Sequence, residues 1–206
     1  MFCPLLVFAQ KKQIATARDL LKAGKELKKA EKSMRTLLED SLNRTNTKIW
    51  VVLCDVLIKQ YEQGNEKLYL KQKYDTAAFF SVTKRMYETM ASFGSIDARL
   101  YTPTPIRPKY RARHAQLLNS IRPNLFNGGT YFIHTKDYNT AYDYFDNYIK
   151  SDKQSLFVGY DYEHKDALMP HAAYWAMYCG YKLKDTEKTM RHLRLAERDT
   201  SMLNFV

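Results

Sequence analysis

Apolar residues recur three and four positions apart through most of the chain, the spacing of one face of a helix. Over residues 14–42 the apolar positions include Leu20, Leu21, Leu27, Ala30, Met34, Leu37 and Leu38, and Gly24 marks a turn or a close helix contact. The polar break at residues 41–46 predicts an N-cap at Asn46 or Thr47. A second helix follows over residues 48–61, with Trp50, Leu53, Cys54 and Leu57 on one face. Residues 62–73 either lengthen it or form a loop, and residues 74–93 form its partner. Residues 94–107, GSIDARLYTPTPIR, read as a linker because Pro103 and Pro105 enforce extended backbone. A short basic helix is predicted over residues 108–120, and Pro123 opens the next one. Residues 151–169 form a long, polar, Tyr-rich connection. Pro170 then opens a helix paired with residues 185–199. The expectation is an all-α fold without a sheet.

One hairpin is more specific than the rest. Residues 127–152 are NGGTYFIHTKDYNTAYDYFDNYIKSD. Gly129 lets two helices approach closely, and Phe132 lies on the same face three residues on. KDYNT supplies the turn, Ala141 is the small contact opposite Gly129, and Phe145 fills the space one turn later. Ala30 and Met34 echo Ala141 and Phe145, and KYDTA at residues 73–77 echoes DYNTA, with Ser81 in the place of Phe145. Thr189 stands in the same position near the end, followed by Leu193 and Ala196. Ala30, Ala77, Ala141 and Thr189 are 47, 64 and 48 residues apart, so any repeat is diverged and carries insertions.

This hairpin resembles the tetratricopeptide repeat (TPR), a pair of antiparallel helices. ARDLLKAGKELKKAEKSM, QYEQGNEKLYLKQKYDTA, RPNLFNGG and AAYWAMYCGYK further resemble a family of exported TPR proteins from Bacteroidetes, over residues 11–206. The resemblance implies a right-handed helical-hairpin solenoid of about four diverged repeats. It also implies export, and members that are generally longer than this chain. It carries no established reaction and therefore no catalytic residue.

Composition narrows the class. The 206 residues are 45% hydrophobic with 7 Gly and 6 Pro, which suits a globular helical protein. Net charge is +11, and residues 11–35 hold nine Lys or Arg against three acids. Such a balance permits an acidic partner, a membrane surface or nucleic acid. The charges in 11–35 alternate with apolar residues, so that stretch reads as a solvated helix face. PIRPKYRARH is one short basic helix, and no nucleic-acid partner is expected. The opening MFCPLLVFAQ reads as the tail of a signal peptide (residues 1–9), cut before Gln10, with its start lying upstream. A disordered or helical cytoplasmic N-terminus is the alternative. The domain expectation is then helical repeats over 10–93, a linker over 94–107 and TPR-like repeats over 108–206. Leu203, Phe205 and Val206 do not make a polar cap and read as the opening of a further helix. No segment has the ~18 apolar residues a membrane span needs, so the protein is expected to be periplasmic or secreted. Cys54 and Cys179 read as buried free thiols, with a single disulfide as the alternative.

Candidate chemistry is sparse. Asp161, Glu163, His164 and Asp166 cluster, but their spacing matches no metal loop. The histidines have no hydrolase signature around them, and no glycine loop cradles a phosphate. No enzyme, cofactor or metal is expected. If Gly129 is the eighth repeat position, the ligand-facing side of its helix carries Phe126, Thr130, Ile133 and His134. The next repeat presents His171, Tyr174, Tyr178, Tyr181 and Lys182. No Lys/Asn clamp for a terminal carboxylate is present there. Flat apolar rings with polar tips suit an extended protein or peptide segment, with a glycan as the alternative. Packing against neighbouring helices is the competing role for these tyrosines.

Overall fold

The computed structural model describes residues 4–99, 109–199 and 201. Cys3, Pro103, Pro105, Pro108 and the terminal Leu203, Phe205 and Val206 lie outside them. The described residues are helical and contain no strand. Two compact units divide the chain, Met1–Tyr110 and Arg111–Val206.

The first unit holds α1 (Pro4–Ala23), α2 (Leu27–Glu39), α3 (Thr47–Tyr69) and α4 (Thr76–Arg99). Neighbours in sequence pack side by side, and α1 also touches α3. α1 runs without a break through Ala9 and Gln10, and the Gln10 amide donates to Asn43 Oδ1 at 2.7 Å. Asn46 is the N-cap of α3, its Oδ1 accepting from the Lys48 N–H. Residues 62–69 lengthen α3 rather than looping out. The buried apolar faces are Ala30 and Met34 of α2, Ile49, Leu53 and Leu57 of α3, and Met86, Met90 and Phe93 of α4. The basic stretch does present most of its charges to solvent, but Glu31 is only 7% exposed. Its carboxylate takes Nε–H bonds from Arg35 and Arg85, each at 2.9 Å, and one from the Gln60 amide at 2.8 Å. Burial alone would raise the Glu31 pKa, but the bonds from Gln60, Arg85 and Arg35 hold it below the usual carboxylate value. One carboxylate thus ties α2, α3 and α4 together. The expected linker begins later than position 94, because α4 continues to Arg99. Gly94 is buried there, and the Ser95 hydroxyl donates back to the Ala91 carbonyl.

The second unit holds α5 (Arg111–Ile121), α6 (Pro123–His134), α7 (Tyr138–Lys150), the single-turn α8 (Tyr162–Lys165), α9 (Leu168–Lys182), α10 (Thr186–Met190) and α11 (Leu193–Ala196). α7 packs against both α6 and α9, and α9 against α10 and α11. The expected last helix is broken at Arg191 and His192, and His192 Nε2 lies 2.8 Å from Asp146 Oδ1. The polar connection between α7 and α9 is ordered into short turns that bury Leu156, Phe157 and Tyr162. Gly129 works as the sequence predicts: a Cβ there would come within 2.5 Å of the Phe145 ring.

Four hairpins share one turn. One or two residues past the ends of α1, α3, α6 and α9 the backbone is left-handed: Gly24 (φ 64°), Lys71 (54°), Lys136 (61°) and Lys184 (56°). Each turn closes with the same pair of backbone bonds of a Schellman motif. In the third hairpin the Asp137 N–H reaches the Phe132 carbonyl and the Lys136 N–H that of Ile133. In the fourth, Asp185 reaches Gly180 and Lys184 reaches Tyr181. Asp75, Asp137 and Asp185 then cap the returning helix, each carboxylate accepting the N–H three residues on. The turns recur at nearly the spacing of the predicted small-residue anchors.

Candidate functional site

The feature of the second unit with most exposed chemistry is built on α9, LMPHAAYWAMYCGYK. One side of this helix is small. Ala172, Ala173, Ala176 and Cys179 are fully buried, and a Cβ on Gly180 would meet the Thr189 backbone nitrogen at 2.5 Å. That small side lets α9 press against its neighbours. The opposite side is aromatic, with His171, Tyr174, Trp175 and Tyr178 one turn apart and Tyr181 and Lys182 beyond.

The rings form a continuous ladder. Phe126 of α6 stacks on His171 with centroids 5.8 Å apart, and His171 stacks on Tyr174 at 6.4 Å. Tyr174 meets Trp175 at 5.2 Å, and Trp175 meets Tyr178 edge-on at 5.5 Å. Tyr178 then contacts Tyr138, the first residue of α7, at 6.1 Å. The ammonium of Lys182 sits 5.2 Å above the Tyr178 ring. Phe126 is anchored edge-on by Phe145 and Tyr148 beneath it.

His171 is fixed at both nitrogens. The Trp175 indole N–H donates to Nε2 at 3.0 Å, so Nε2 carries a lone pair. The proton is therefore on Nδ1, which donates to Asp199 Oδ2 at 2.8 Å. That pair of bonds sets the plane on which Phe126 and Tyr174 stack.

A cleft of about 320 Å³ opens beside the ladder, lined by Tyr174, Met177, Tyr178, Tyr181 and Thr189. Tyr181 is 69% exposed, whereas Tyr174 is only 8% exposed. Tyr174 is thus mainly a packing residue with an edge on the cleft, and Tyr181 is available to a partner. Of the residues predicted from sequence, Phe126, His171, Tyr174, Tyr178 and Lys182 meet in the ladder, and Tyr181 joins Tyr174 and Tyr178 at the cleft. Thr130 turns its hydroxyl back to the Phe126 carbonyl at 3.3 Å, and His134 is exposed on the last turn of α6. Neither belongs to the ladder. Trp175 and Tyr138 do belong to it and were not predicted. Trp175 lies four residues after His171, which is the signal that would have found it.

The acidic cluster disperses. Asp161 pairs with His164 at 2.6 Å, Glu163 with Lys153 at 2.6 Å, and Asp166 with Arg122 and the Tyr148 hydroxyl. Among the described residues no group of three or more His, Cys, Asp or Glu side chains is placed to hold a metal ion. No described helix is long and apolar enough to cross a membrane. No family model, curated protein or solved structure matches the chain.

Proposed function

We propose that the chain is a non-enzymatic scaffold of diverged TPR-like hairpins that binds an extended protein or peptide segment on the aromatic face of α9. The observation that carries this reading is the ladder with an exposed Tyr181, a cleft and an exposed Lys182 beside it. Rings locked by one another lose little freedom when they bind, which favours anchors of this kind. The repeated Schellman turn with its Asp cap supports a repeat origin for the hairpins. Placement in the bacterial envelope rests on the apolar opening of the sequence and on the family resemblance.

The test is a pull-down from an envelope extract with the full chain, run beside a glycan array. Tyr178→Ala together with Tyr181→Ala should weaken capture by roughly 1–4 kcal/mol while helix content stays near native. If the double variant captures the same partners with the same strength, this face is idle. If the array lights up and the pull-down does not, the partner is a glycan lying on the same rings.

A further inference from the structure

We infer that the α1/α2 hairpin carries a second docking groove, whose occupant is an acidic amphipathic helix. The groove has about 300 Å³ of space and is lined by Lys12, Gln13, Thr16, Ala17, Lys29 and Ala30, among others. Its residues on α1 run from Ala9 to Leu20, a stripe three helical turns and roughly 16 Å long. The α2 wall runs only from Lys29 to Ser33, about one turn, so the groove opens between the helices there and continues along the exposed stripe of α1, where a third helix can lie ridge into groove.

Charge selects the occupant. Lys11, Lys12, Arg18, Lys22, Lys25, Lys28, Lys29 and Lys32 are all exposed on or between α1 and α2, against the exposed acids Asp19, Glu26 and Glu39. Glu26 is already engaged, 3.1 Å from Lys29, and Glu31 is turned inward to Arg35 and Arg85. Lys12 lines the groove from α1 and Lys29, whose partner Glu26 is itself exposed, lines it from α2. A helix with Asp or Glu along its flanks and Leu along its buried stripe would meet a cation on each side and an apolar floor below.

The floor favours such a helix over the other acidic macromolecules. Membrane insertion needs large apolar side chains that protrude, and none of the exposed large apolar residues lies on the described part of α1 or on α2. Single-stranded nucleic acid needs stacking rings, and this groove has none among its lining residues.

The test uses the full chain and a synthetic fluorescent peptide of about 14 residues, with Leu at i, i+3, i+4 and i+7 and Glu on the flanks. Anisotropy should show saturable binding that weakens as salt rises from about 50 to about 200 mM. Lys12→Glu with Lys29→Glu should weaken it at least roughly tenfold, and so should Thr16→Phe, which fills the groove without changing charge. Circular dichroism of each variant should match the parent. The proposal is overturned if Thr16→Phe binds normally, since the charges alone would then suffice. It is also overturned if a Lys-flanked peptide binds equally, or if phosphatidylglycerol vesicles or a single-stranded oligonucleotide bind as tightly and lose nothing on Thr16→Phe.

Discussion

The guanidinium of Arg122 lies 3.7 Å from the centre of the Tyr148 ring, and the Tyr162 ring covers its other face at 3.9 Å. Around its edge Arg122 donates to the Ser151 hydroxyl at 2.9 Å, to the Tyr148 carbonyl at 3.2 Å and to Asp166. Arg122 is buried, so the cation is held by two ring faces and a carboxylate in place of water. Burial would raise the Asp166 pKa, but its bonds from Arg122 and the Tyr148 hydroxyl hold it low. Arg122→Ala should destabilise the second unit by about 3–5 kcal/mol, because Asp166 loses its partner. Adding Asp166→Leu should return part of the loss. Arg122→Lys should fall between, since an ammonium cannot fork or stack in the same way. Urea midpoints of the three variants decide this, and a Lys variant as stable as the parent would contradict it.

The two close-approach glycines should respond differently. The atoms nearest a Cβ at position 129 belong to the Phe145 ring, while those nearest one at position 180 are backbone atoms of Lys188 and Thr189. Each Ala substitution should cost roughly 1–3 kcal/mol. Phe145→Leu should relieve Gly129→Ala, but no change at Thr189 should relieve Gly180→Ala. Equal rescue of both in thermal melts would show that α10 can shift away from α9.

Acid sensitivity above pH 4 should trace to His114. Burial, helped by the Arg113 charge, pushes its pKa down to about 4 from 6.5. A depressed folded pKa means that the unfolded chain binds the proton first as pH falls. The stabilisation is therefore complete above about 6.5 and is lost as pH drops towards 4, by up to about 3 kcal/mol. The lowered carboxylates Glu31, Asp146 and Asp166 act further down, below the usual carboxylate range. His114→Gln should flatten the fall in melting temperature between about pH 7 and pH 4.5 relative to the parent. Parallel curves for the two proteins would rule the histidine out.

Three of the four shared turns put lysine where glycine is easier. Lys71→Gly, Lys136→Gly and Lys184→Gly should each stabilise by about 1 kcal/mol, because the left-handed backbone costs a side chain about that much. Valine at the same positions should do the reverse. Denaturation of the singles and the triple should show gains that add, since each turn closes with its own pair of backbone bonds. Loss of stability in any glycine variant would mean that the lysine side chain holds its turn.

Local pattern carried much of this architecture. Helix faces, the Asn46 cap, the Gly24 turn and the Gly129–Phe145 contact were all legible, because each depends on residues within one helix or one hairpin. What pattern could not show depends on partners far along the chain. Glu31 sits in a basic, solvated stretch by every local rule, and its burial is explained by Gln60 and Arg85, 29 and 54 residues away. Asp166 sits in an acidic cluster and is claimed by Arg122, 44 residues before it. Residues 94–99 read as part of the linker that Pro103 and Pro105 set, yet α4 continues to Arg99 and Asp97 is buried and accepts the Tyr110 N–H. At the aromatic face, helical spacing brought together Phe126, His171, Tyr174 and Tyr178, but passed over Trp175 on the same helix. Tyr138 enters it from α7, where no spacing on α9 could point to it.

Cys54 lies in α3 of the first unit and Cys179 in α9 of the second, both free and both buried. Burial lifts each thiol to about 12, so neither is a nucleophile while its helix stays packed. A sulfhydryl reagent can reach either one only after the surrounding helices part. With Cys3 replaced by serine, the rate at which each sulfur is labelled becomes a clock for the opening of its own half of the chain. Two clocks running at one rate would mean that the halves open together, and two rates would mean that each keeps its own time.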